Sequence, residues 1–249
     1  MDTFYDDLAP FYHLVHGDWE SSIERQANVL DGVIREEIHG TARTVLDVAC
    51  GIGTQSLGLA GRGYDVTASD LSPRAIERAR EEAAARNLPI RISVADMRQA
   101  FDHHGRTFDA VIACDNAVPH LLSDDEILAA FQQFHRCTRP GGVCVISVRD
   151  YAAMELGGIR TVPFGVRDEA GIRYVVLQTW DFHGPLYDLT MYFVEDRGGA
   201  ECRTHAFRAR YYTVSIDRLI DLFRDAGFEA VHRIDGRFFQ PLIVARRPL

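Results

Sequence analysis

The sequence contains no lysine, and all 27 of its basic residues are arginine. A lysine Schiff base and a lysine acting as proton acceptor are therefore excluded from the chemistry of this chain. The 36 acidic residues outnumber the arginines and leave a formal net charge of −9. An acidic surface repels the phosphate backbone of nucleic acids, so we expect no nucleic-acid partner.

Cysteine patterns that bind metals or form disulfides are also missing. The five cysteines include no C-x-x-C pair, and neither they nor the ten histidines have the spacing of zinc ligands. We expect reduced thiols, no metal site and a cytoplasmic location. No apolar run has the length of a membrane span, and the acidic first residues do not resemble a signal peptide, so we expect no membrane partner.

The stretch Val45 to Gln55 carries the pattern on which the interpretation of the whole chain depends. Its apolar, β-branched start predicts a buried strand, and Gly51-Ile52-Gly53 then predicts a turn before a helix. Strand, glycine turn and helix form the first crossover of an open α/β sheet, which binds ligands at the carboxyl ends of its strands. Glycine suits this turn because it adopts positive φ and lets a ligand approach the backbone. The dinucleotide fingerprint G-x-G-x-x-G is incomplete, since Ser56 stands at its third glycine position.

Acidic residues follow the next two predicted strands. The second strand, 64–70, ends at Asp70, at the distance from the glycine turn at which nucleotide-binding folds place a carboxylate for ribose hydroxyls. A helix cap is the alternative role, but the serine-proline pair that follows already supplies a cap. The third strand, 90–95, is followed by Asp96 and Met97, which in isolation are typical of a turn and of a core residue.

The rest of the chain continues this α/β pattern and then interrupts it. Apolar residues at helical spacing predict an amphipathic helix over about 20–38, with Ser21 and Glu24 as a capping box at its start. Between about 152 and 212 the alternation of strands and helices stops, and the pattern predicts antiparallel strands with glycine turns. The remaining predicted elements are a helix from 73 to near 87, strands 108–114 and 143–148, a helix from 123 to about 138, insertion strands 174–182, 186–194 and 204–212, a helix 215–226, and strands 228–234 and 239–245.

The string from Val45 to Thr54 resembles motif I of the class I S-adenosylmethionine (SAM) methyltransferases. The resemblance implies that SAM lies on the first three strand ends, with the Asp70 carboxylate on the ribose, the Asp96 carboxylate on the adenine amino group and Met97 on the adenine ring. An acidic edge also favours a cationic sulfonium. The cofactor-binding residues implied in this core are Asp47, Ala49, Gly51, Gly53, Asp70, Leu71, Asp96, Met97 and Cys114.

A narrower resemblance, to the glycine and sarcosine N-methyltransferases, extends more loosely over 1–151. It is carried by Gly17-Asp18-Trp19-Glu20 with Arg25, by the spacing Asn116…His120, and by Arg149-Asp150-Tyr151. In that family the N-terminal region closes over SAM, and the arginine matching Arg149 holds the carboxylate of the amino acid. The resemblance implies catalytic roles for Asn116 and Arg149, and cofactor contacts for Tyr12, Trp19, Arg25 and His120.

Each of these residues also has an alternative role. Asn116 is typical of loop turns, and Arg149 is able to pair internally with Asp150 or Asp18. Aromatic residues at the start of a helix more often pack than bind. His120 is interpreted either as a loop histidine near the methionine tail of SAM or as a general base.

The resemblance implies a Rossmann-like methyltransferase: an α/β, doubly wound, mostly parallel seven-stranded sheet with an N-terminal helical cap and an antiparallel β insertion. The predicted segments are a helical cap or lid (1–40), a SAM-binding α/β core (41–150), an antiparallel insertion over the acceptor site (151–212), and a C-terminal helix with the last two strands of the sheet (213–249).

The predicted reaction is methyl transfer from SAM to a small amine, with S-adenosyl-L-homocysteine as the second product. The leading acceptors are glycine and sarcosine, which carry both an amine and a carboxylate. The alternatives are an O- or N-methyltransferase of another small metabolite, and a nicotinamide-dependent oxidoreductase, against which the incomplete glycine fingerprint argues. The sequence is also compatible with a homo-oligomer.

Overall fold

The computed structural model describes residues 4–38, 40–154 and 156–249. Its larger sheet has seven strands in the order β10-β11-β5-β4-β1-β2-β3, of which β1 to β5 pair in parallel and β11 runs antiparallel to both of its neighbours. A second sheet has four antiparallel strands in the order β6-β7-β8-β9. The strands are β1 Thr44–Asp47, β2 Asp65–Asp70, β3 Arg91–Val94, β4 Phe108–Ala113, β5 Thr138–Ser147, β6 Ile159–Glu169, β7 Ile172–His183, β8 Leu186–Asp196, β9 Arg203–Tyr212, β10 Glu229–Ile234 and β11 Leu242–Arg246.

Helices cover both faces of the larger sheet, which confirms the predicted doubly wound, mostly parallel fold class. One face packs against α6 and α7 through a core that includes Phe131 and Phe223, and the other packs against α2 and α3 through Leu30 and Leu59. In the described part of the chain no helix is both long and apolar enough to span a bilayer. The helices are α1 Phe4–Leu8, α2 Trp19–Glu37, α3 Thr54–Gly61, α4 Pro73–Ala85, α5 Ala100–His104, α6 Asp124–Cys137 and α7 Ile216–Asp225.

Helix α2 begins one residue earlier than predicted, and its cap is a different residue. Asp18 is the N-cap: its Oδ1 accepts a hydrogen bond from the Ser21 backbone N–H at 3.1 Å, and its Oδ2 accepts one from the Ser21 hydroxyl at 2.6 Å. The predicted capping box of Ser21 and Glu24 is therefore wrong. The Asp18 carboxylate accepts from the free Ser21 N–H in the first turn of the helix, so a further cap is not needed there. Ser21 is a donor to the cap and is not itself the cap.

The four-stranded sheet contains a strand that the sequence pattern did not predict. Strand β6 has Pro163 and Gly165 in its middle, and its pairing with β7 shifts register between them. Proline and glycine interrupt the alternation by which a strand is recognised, and here they mark an irregularity at the sheet edge. The inner face of this sheet packs on α1 and on the 3₁₀ turn Tyr12–Val15. It therefore contacts the chain that precedes α2, residues 4–18, which we call the N-terminal segment.

Helices α2 and α3 touch at a glycine. A Cβ atom at Gly58 would lie 2.5 Å from the Ala27 Cβ and 2.7 Å from the Ile23 carbonyl oxygen, closer than real contacts allow. Gly58→Ala should therefore lower the free energy of unfolding by about 1–3 kcal/mol, because the helices must separate. Gly61→Ala is the matched control in the same helix, since its Cβ would meet no atom within 4 Å. Urea unfolding of both variants measures the difference, and equal stability would contradict the close approach.

Candidate functional site

The glycine turn and the acid of β2 meet at the carboxyl edge of the larger sheet. Gly51 and Gly53 adopt left-handed φ angles of +52° and +99°. Asp70 Oδ2 accepts a hydrogen bond from the Gly51 backbone N–H at 2.8 Å, and its Oδ1 accepts one from the Ser72 N–H at 2.9 Å. A Cβ at Gly51 would meet only the Tyr12 ring, at 3.4 Å, so the turn is a cradle that any side chain would begin to fill. We name this surface the cofactor edge.

Asp47 lies behind the cofactor edge. Its carboxyl group is 1% exposed, accepts a hydrogen bond from the Ser56 hydroxyl at 2.7 Å, and accepts a longer one from the Ala49 N–H at 3.3 Å. Burial raises the pKa of Asp47 to about 7, against the smaller lowering effect of these two donors. Cys114, directly after β4, is also buried, with 4% exposure. Asp47 supports the turn from below, because its two donors, Ala49 and Ser56, flank the turn.

Three further predicted residues lie along the outer part of the edge. Asp96 caps the short 3₁₀ turn Met97–Gln99, and both of its oxygens accept hydrogen bonds from the Arg98 guanidinium. Met97 is partly buried against the sheet core. Leu71 is 63% exposed beside Asp70, so an apolar side chain stays open to a ligand at this edge.

The N-terminal segment covers the cofactor edge. The Asp6 carboxylate accepts hydrogen bonds from the Ser72 hydroxyl at 2.6 Å and from the Arg74 N–H at 3.1 Å, which joins α1 to the start of α4. The Trp19 indole donates to the Thr54 hydroxyl at 2.9 Å, at the start of α3. On the other side, Arg167 of β6 donates to the carbonyl oxygens that end the 3₁₀ turn, those of residues 14 and 16. The segment is thus held by both sheets.

A cavity of about 590 Å³ opens between this segment, α2 and the inner face of the four-stranded sheet. We call it the chamber. The predicted residues Tyr12, Arg25 and Arg149 line it, whereas the glycine turn and Asp70 do not. Its other polar and aromatic lining residues are Phe4, Tyr5, His16, Ser22, Gln26, Asp115, Phe164, Gln178, Tyr211, Arg237, Phe238, Phe239 and Gln240.

Arg149 brings a positive charge to the chamber just after β5. Its guanidinium lies 5.1 Å from the centre of the Trp180 ring and donates to the Tyr187 hydroxyl at 3.3 Å. Across residues 4–38, 40–154 and 156–249, no carboxylate lies within ion-pair distance of it. The predicted internal partners are engaged elsewhere, since Asp150 pairs with Arg233 at 2.7 Å and the carboxylate of residue 18 caps α2.

Asn116 does not reach the chamber. It is 1% exposed, its Nδ2 donates to the Tyr151 hydroxyl at 2.9 Å, and its Oδ1 accepts from the Arg149 backbone N–H at 3.0 Å. The amide thus braces the segment that carries Arg149, and the adjacent Asp115 lines the chamber in its place. The role predicted for Asn116 as a direct contact to the amine stays a prediction.

His120 is enclosed by aromatic residues. Its Nε2 lies 2.8 Å from the Tyr5 hydroxyl, and its ring centre lies 4.1 Å from that of Tyr211. Burial, with a smaller effect of the Arg149 charge, lowers the pKa of His120 to about 3. The imidazole is therefore neutral near pH 7 and accepts protons weakly, which disfavours the general-base interpretation.

Several chamber residues were not singled out from the sequence. Asp115 had one available signal, because it is an acid directly after a strand, like Asp70 and Asp96. Tyr211 also lines the chamber, and its ring stacks at a centre distance of 5.2 Å on that of Tyr187, which lies behind it on the neighbouring strand. Their alternation along β8 and β9 identifies a buried face but not which part of the molecule that face meets.

Comparison with known proteins supports the interpretation of this edge. The family model of a methyltransferase domain matches residues 45–142. The chain is 34% identical over 142 residues to a glycine/sarcosine N-methyltransferase of Parasynechococcus marenigrum, and 32% identical over 162 residues to a glycine N-methyltransferase of Rattus norvegicus. The alignments cover 57% and 60% of this chain but 49% and 54% of the relatives, so the chain spans about half the length of the curated relatives it matches.

Two solved structures resemble nearly the whole chain. Streptomyces venezuelae DesVI has a TM-score of 0.82 at 21% identity and covers 98% of both chains. A SAM-bound amino pentose methyltransferase of calicheamicin biosynthesis, from Micromonospora echinaspora, has a TM-score of 0.79 at 25% identity and covers 91% of this chain and 92% of its own. Together with the cofactor edge, these similarities define the class of the matched domain. The chain contains a methyltransferase domain of the class I SAM-dependent type.

Proposed function

We propose that this chain transfers a methyl group from SAM to the amino group of a small molecule that also carries a carboxylate, with glycine and sarcosine as the first acceptors to test. The observation that supports this most is Arg149, a guanidinium that faces the chamber and pairs with no carboxylate of the described chain. A buried charge is costly unless it is paired, and a guanidinium binds a carboxylate in a two-pronged fork. The carboxylate of an acceptor would complete this pair.

In this mechanism the main roles of the chain are to position the two reactants and to exclude water. SAM supplies, when bound, a methyl group on a sulfonium that is already a strong leaving group. Gly51, Asp70 and the covering N-terminal segment would hold it at the cofactor edge. Arg149 would fix the acceptor carboxylate, and Asn116 would keep the Arg149 backbone in place. Alignment of this kind supplies much of the rate enhancement in two-substrate transfers.

The relatives support the same acceptor class, because those named above carry glycine or sarcosine in their names and are 32–34% identical to the chain. A second candidate is an amino sugar. The amino pentose methyltransferase resembles the chain over 91% of its length, well beyond the 57–60% that the glycine relatives cover. The chamber of about 590 Å³ also has room for an acceptor larger than glycine. Incubation with labelled SAM and glycine, sarcosine, methylamine or glucosamine separates the candidates, and transfer to methylamine alone would contradict both.

Binding of the cofactor can be tested through Asp70. Asp70→Ala should weaken SAM binding at least tenfold, because a hydrogen-bonded carboxylate contributes roughly 1.5–3 kcal/mol. Asp65→Ala is the matched control, since Asp65 lies at the far end of the same strand and pairs with Arg91 on the surface. Calorimetric titration with SAM and with NAD measures both variants, and we expect no NAD binding. An unchanged dissociation constant in a folded Asp70→Ala protein would contradict the proposed contact.

A further inference from the structure

Asp115 occupies an unusual backbone position at the end of β4. Its φ is +58°, and that of the following Asn116 is +63°. Left-handed backbone is disfavoured for residues with a Cβ, and two in succession persist only where the surroundings impose them. As a result, the two adjacent side chains point to different places. The Asn116 side chain binds the Arg149 backbone, and the Asp115 side chain lines the chamber.

Within the described residues, the Asp115 carboxylate accepts hydrogen bonds from neutral donors. Oδ2 accepts from the Tyr12 hydroxyl at 3.1 Å, and Oδ1 accepts from the Gln240 amide at 3.4 Å. Among the residues that the structure describes, no arginine or histidine lies within ion-pair distance of it. The Ser147 hydroxyl fixes the Asp115 backbone N–H at 2.7 Å. A partly buried carboxylate with two long, neutral hydrogen bonds keeps acceptor capacity for a cation or an N–H donor.

Asp115 and Arg149 follow neighbouring parallel strands, β4 and β5. Both side chains line the chamber, so an anionic and a cationic group face the same space without pairing with each other. An α-amino acid carries the complementary pair of charges. The Coulomb energy of each contact rises inside the chamber because water is partly excluded.

We propose that Asp115 is the residue that binds the nitrogen of the methyl acceptor and, with Arg149, selects acceptors that carry both an amine and a carboxylate. The inference rests on the proposed function. The ammonium form would dock on the carboxylate and lose one proton to bulk water. The neutral amine would keep an N–H···O bond to Asp115, which aims its lone pair at the methyl group. The lone pair forms the new N–C bond while the methyl–sulfur bond breaks, and that electron pair stays on sulfur.

The test compares the wild type with Asp115→Asn, which keeps the shape and removes the charge. We expect the KM for sarcosine to rise at least tenfold while the dissociation constant for SAM changes less than twofold. Asp188→Asn is the matched control, because Asp188 lies on the exposed face of β8 and pairs with Arg210. It should leave both constants unchanged.

A second measurement uses only the wild type loaded with S-adenosyl-L-homocysteine. Glycine should bind at least tenfold more tightly than acetate, which lacks the amine. Equal binding, an unchanged KM in Asp115→Asn, or a loss of SAM affinity that matches the rise in KM would each overturn the inference. A wild type that methylates neither glycine nor sarcosine would overturn the proposed acceptors themselves, and one that methylates only glucosamine would support the amino-sugar candidate instead.

Discussion

Arg149→Ala should lower kcat/KM for the acceptor at least tenfold while the protein stays folded and continues to bind SAM. The guanidinium lies in the chamber against Trp180 and Tyr187, and we assign it the acceptor carboxylate. Removing one member of a buried, hydrogen-bonded charge pair costs roughly 2–4 kcal/mol. Steady-state kinetics with sarcosine at saturating SAM measures the loss, and calorimetric titration measures the affinity for SAM.

The substitution with lysine sharpens this test. Arg149→Lys should restore little activity, because an ammonium is a point charge and not a planar fork. Arg173→Ala is the matched control, since Arg173 is exposed on β7 and pairs with Asp168 on the surface. A folded Arg149→Ala protein with full activity would contradict the carboxylate assignment. Loss of SAM affinity together with stability would show that Arg149 is instead a structural brace of the four-stranded sheet.

The wild type should lose up to about 4 kcal/mol of stability relative to Asp47→Asn as the pH rises from about 4 to about 7. The pKa of Asp47 is about 7 in the folded protein because the carboxyl group is buried, against about 4 in an unfolded chain. In this window the folded state keeps a proton that the unfolded state has released, so stability falls as pH rises. The contribution is fully present below pH 4 and lost above pH 7.

Urea unfolding of the ligand-free proteins at pH 4.5, 6 and 8 measures the effect. The pKa of His120, about 3, and that of His104, about 4, give the opposite slope below pH 6.5, but they do so in both proteins and cancel in the difference. Asp109→Asn is the control, because the hydrogen bond from Arg139 holds the pKa of Asp109 at about 2 despite partial burial. The difference in the free energy of unfolding between Asp109→Asn and the wild type should stay constant above pH 5. A constant difference between the wild type and Asp47→Asn would refute the buried, protonated carboxyl.

The cofactor edge could be predicted from the sequence because its parts are local. The strand, the glycine turn and the following helix form one continuous stretch from Thr44 to Gly61, and the β2 acid follows at a spacing fixed by one crossover. The Gly51 N–H and the Asp70 carboxylate do meet in the structure. Periodicity and turn residues therefore sufficed to bring these two parts of the edge together.

The chamber could not be predicted in the same way, because its walls come from distant segments. Tyr5 and Tyr211 both approach His120, although roughly 200 residues separate them. Asp115, and not the predicted Asn116, faces the chamber because both residues have left-handed backbone conformations. The periodicity of a sequence does not reveal such conformations. The missed strand β6 and the wrong cap of α2 have local causes, a proline with a glycine in the first case and a competing aspartate in the second.

The contact between the N-terminal segment and the four-stranded sheet also sets the order in which the protein can assemble. The Phe11 ring packs on Phe193 and Phe207, at ring-centre distances of 5.4 and 5.7 Å. Phe11 can therefore dock only after β8 and β9 have formed. During synthesis the amino end emerges first and has no docking surface until strands β7 to β9 have left the ribosome. The parallel core, whose neighbours are closer in sequence, can form earlier. We therefore expect a nascent chain to form the strands and the glycine turn of its cofactor edge before its chamber, and to gain the N-terminal cover of that edge last.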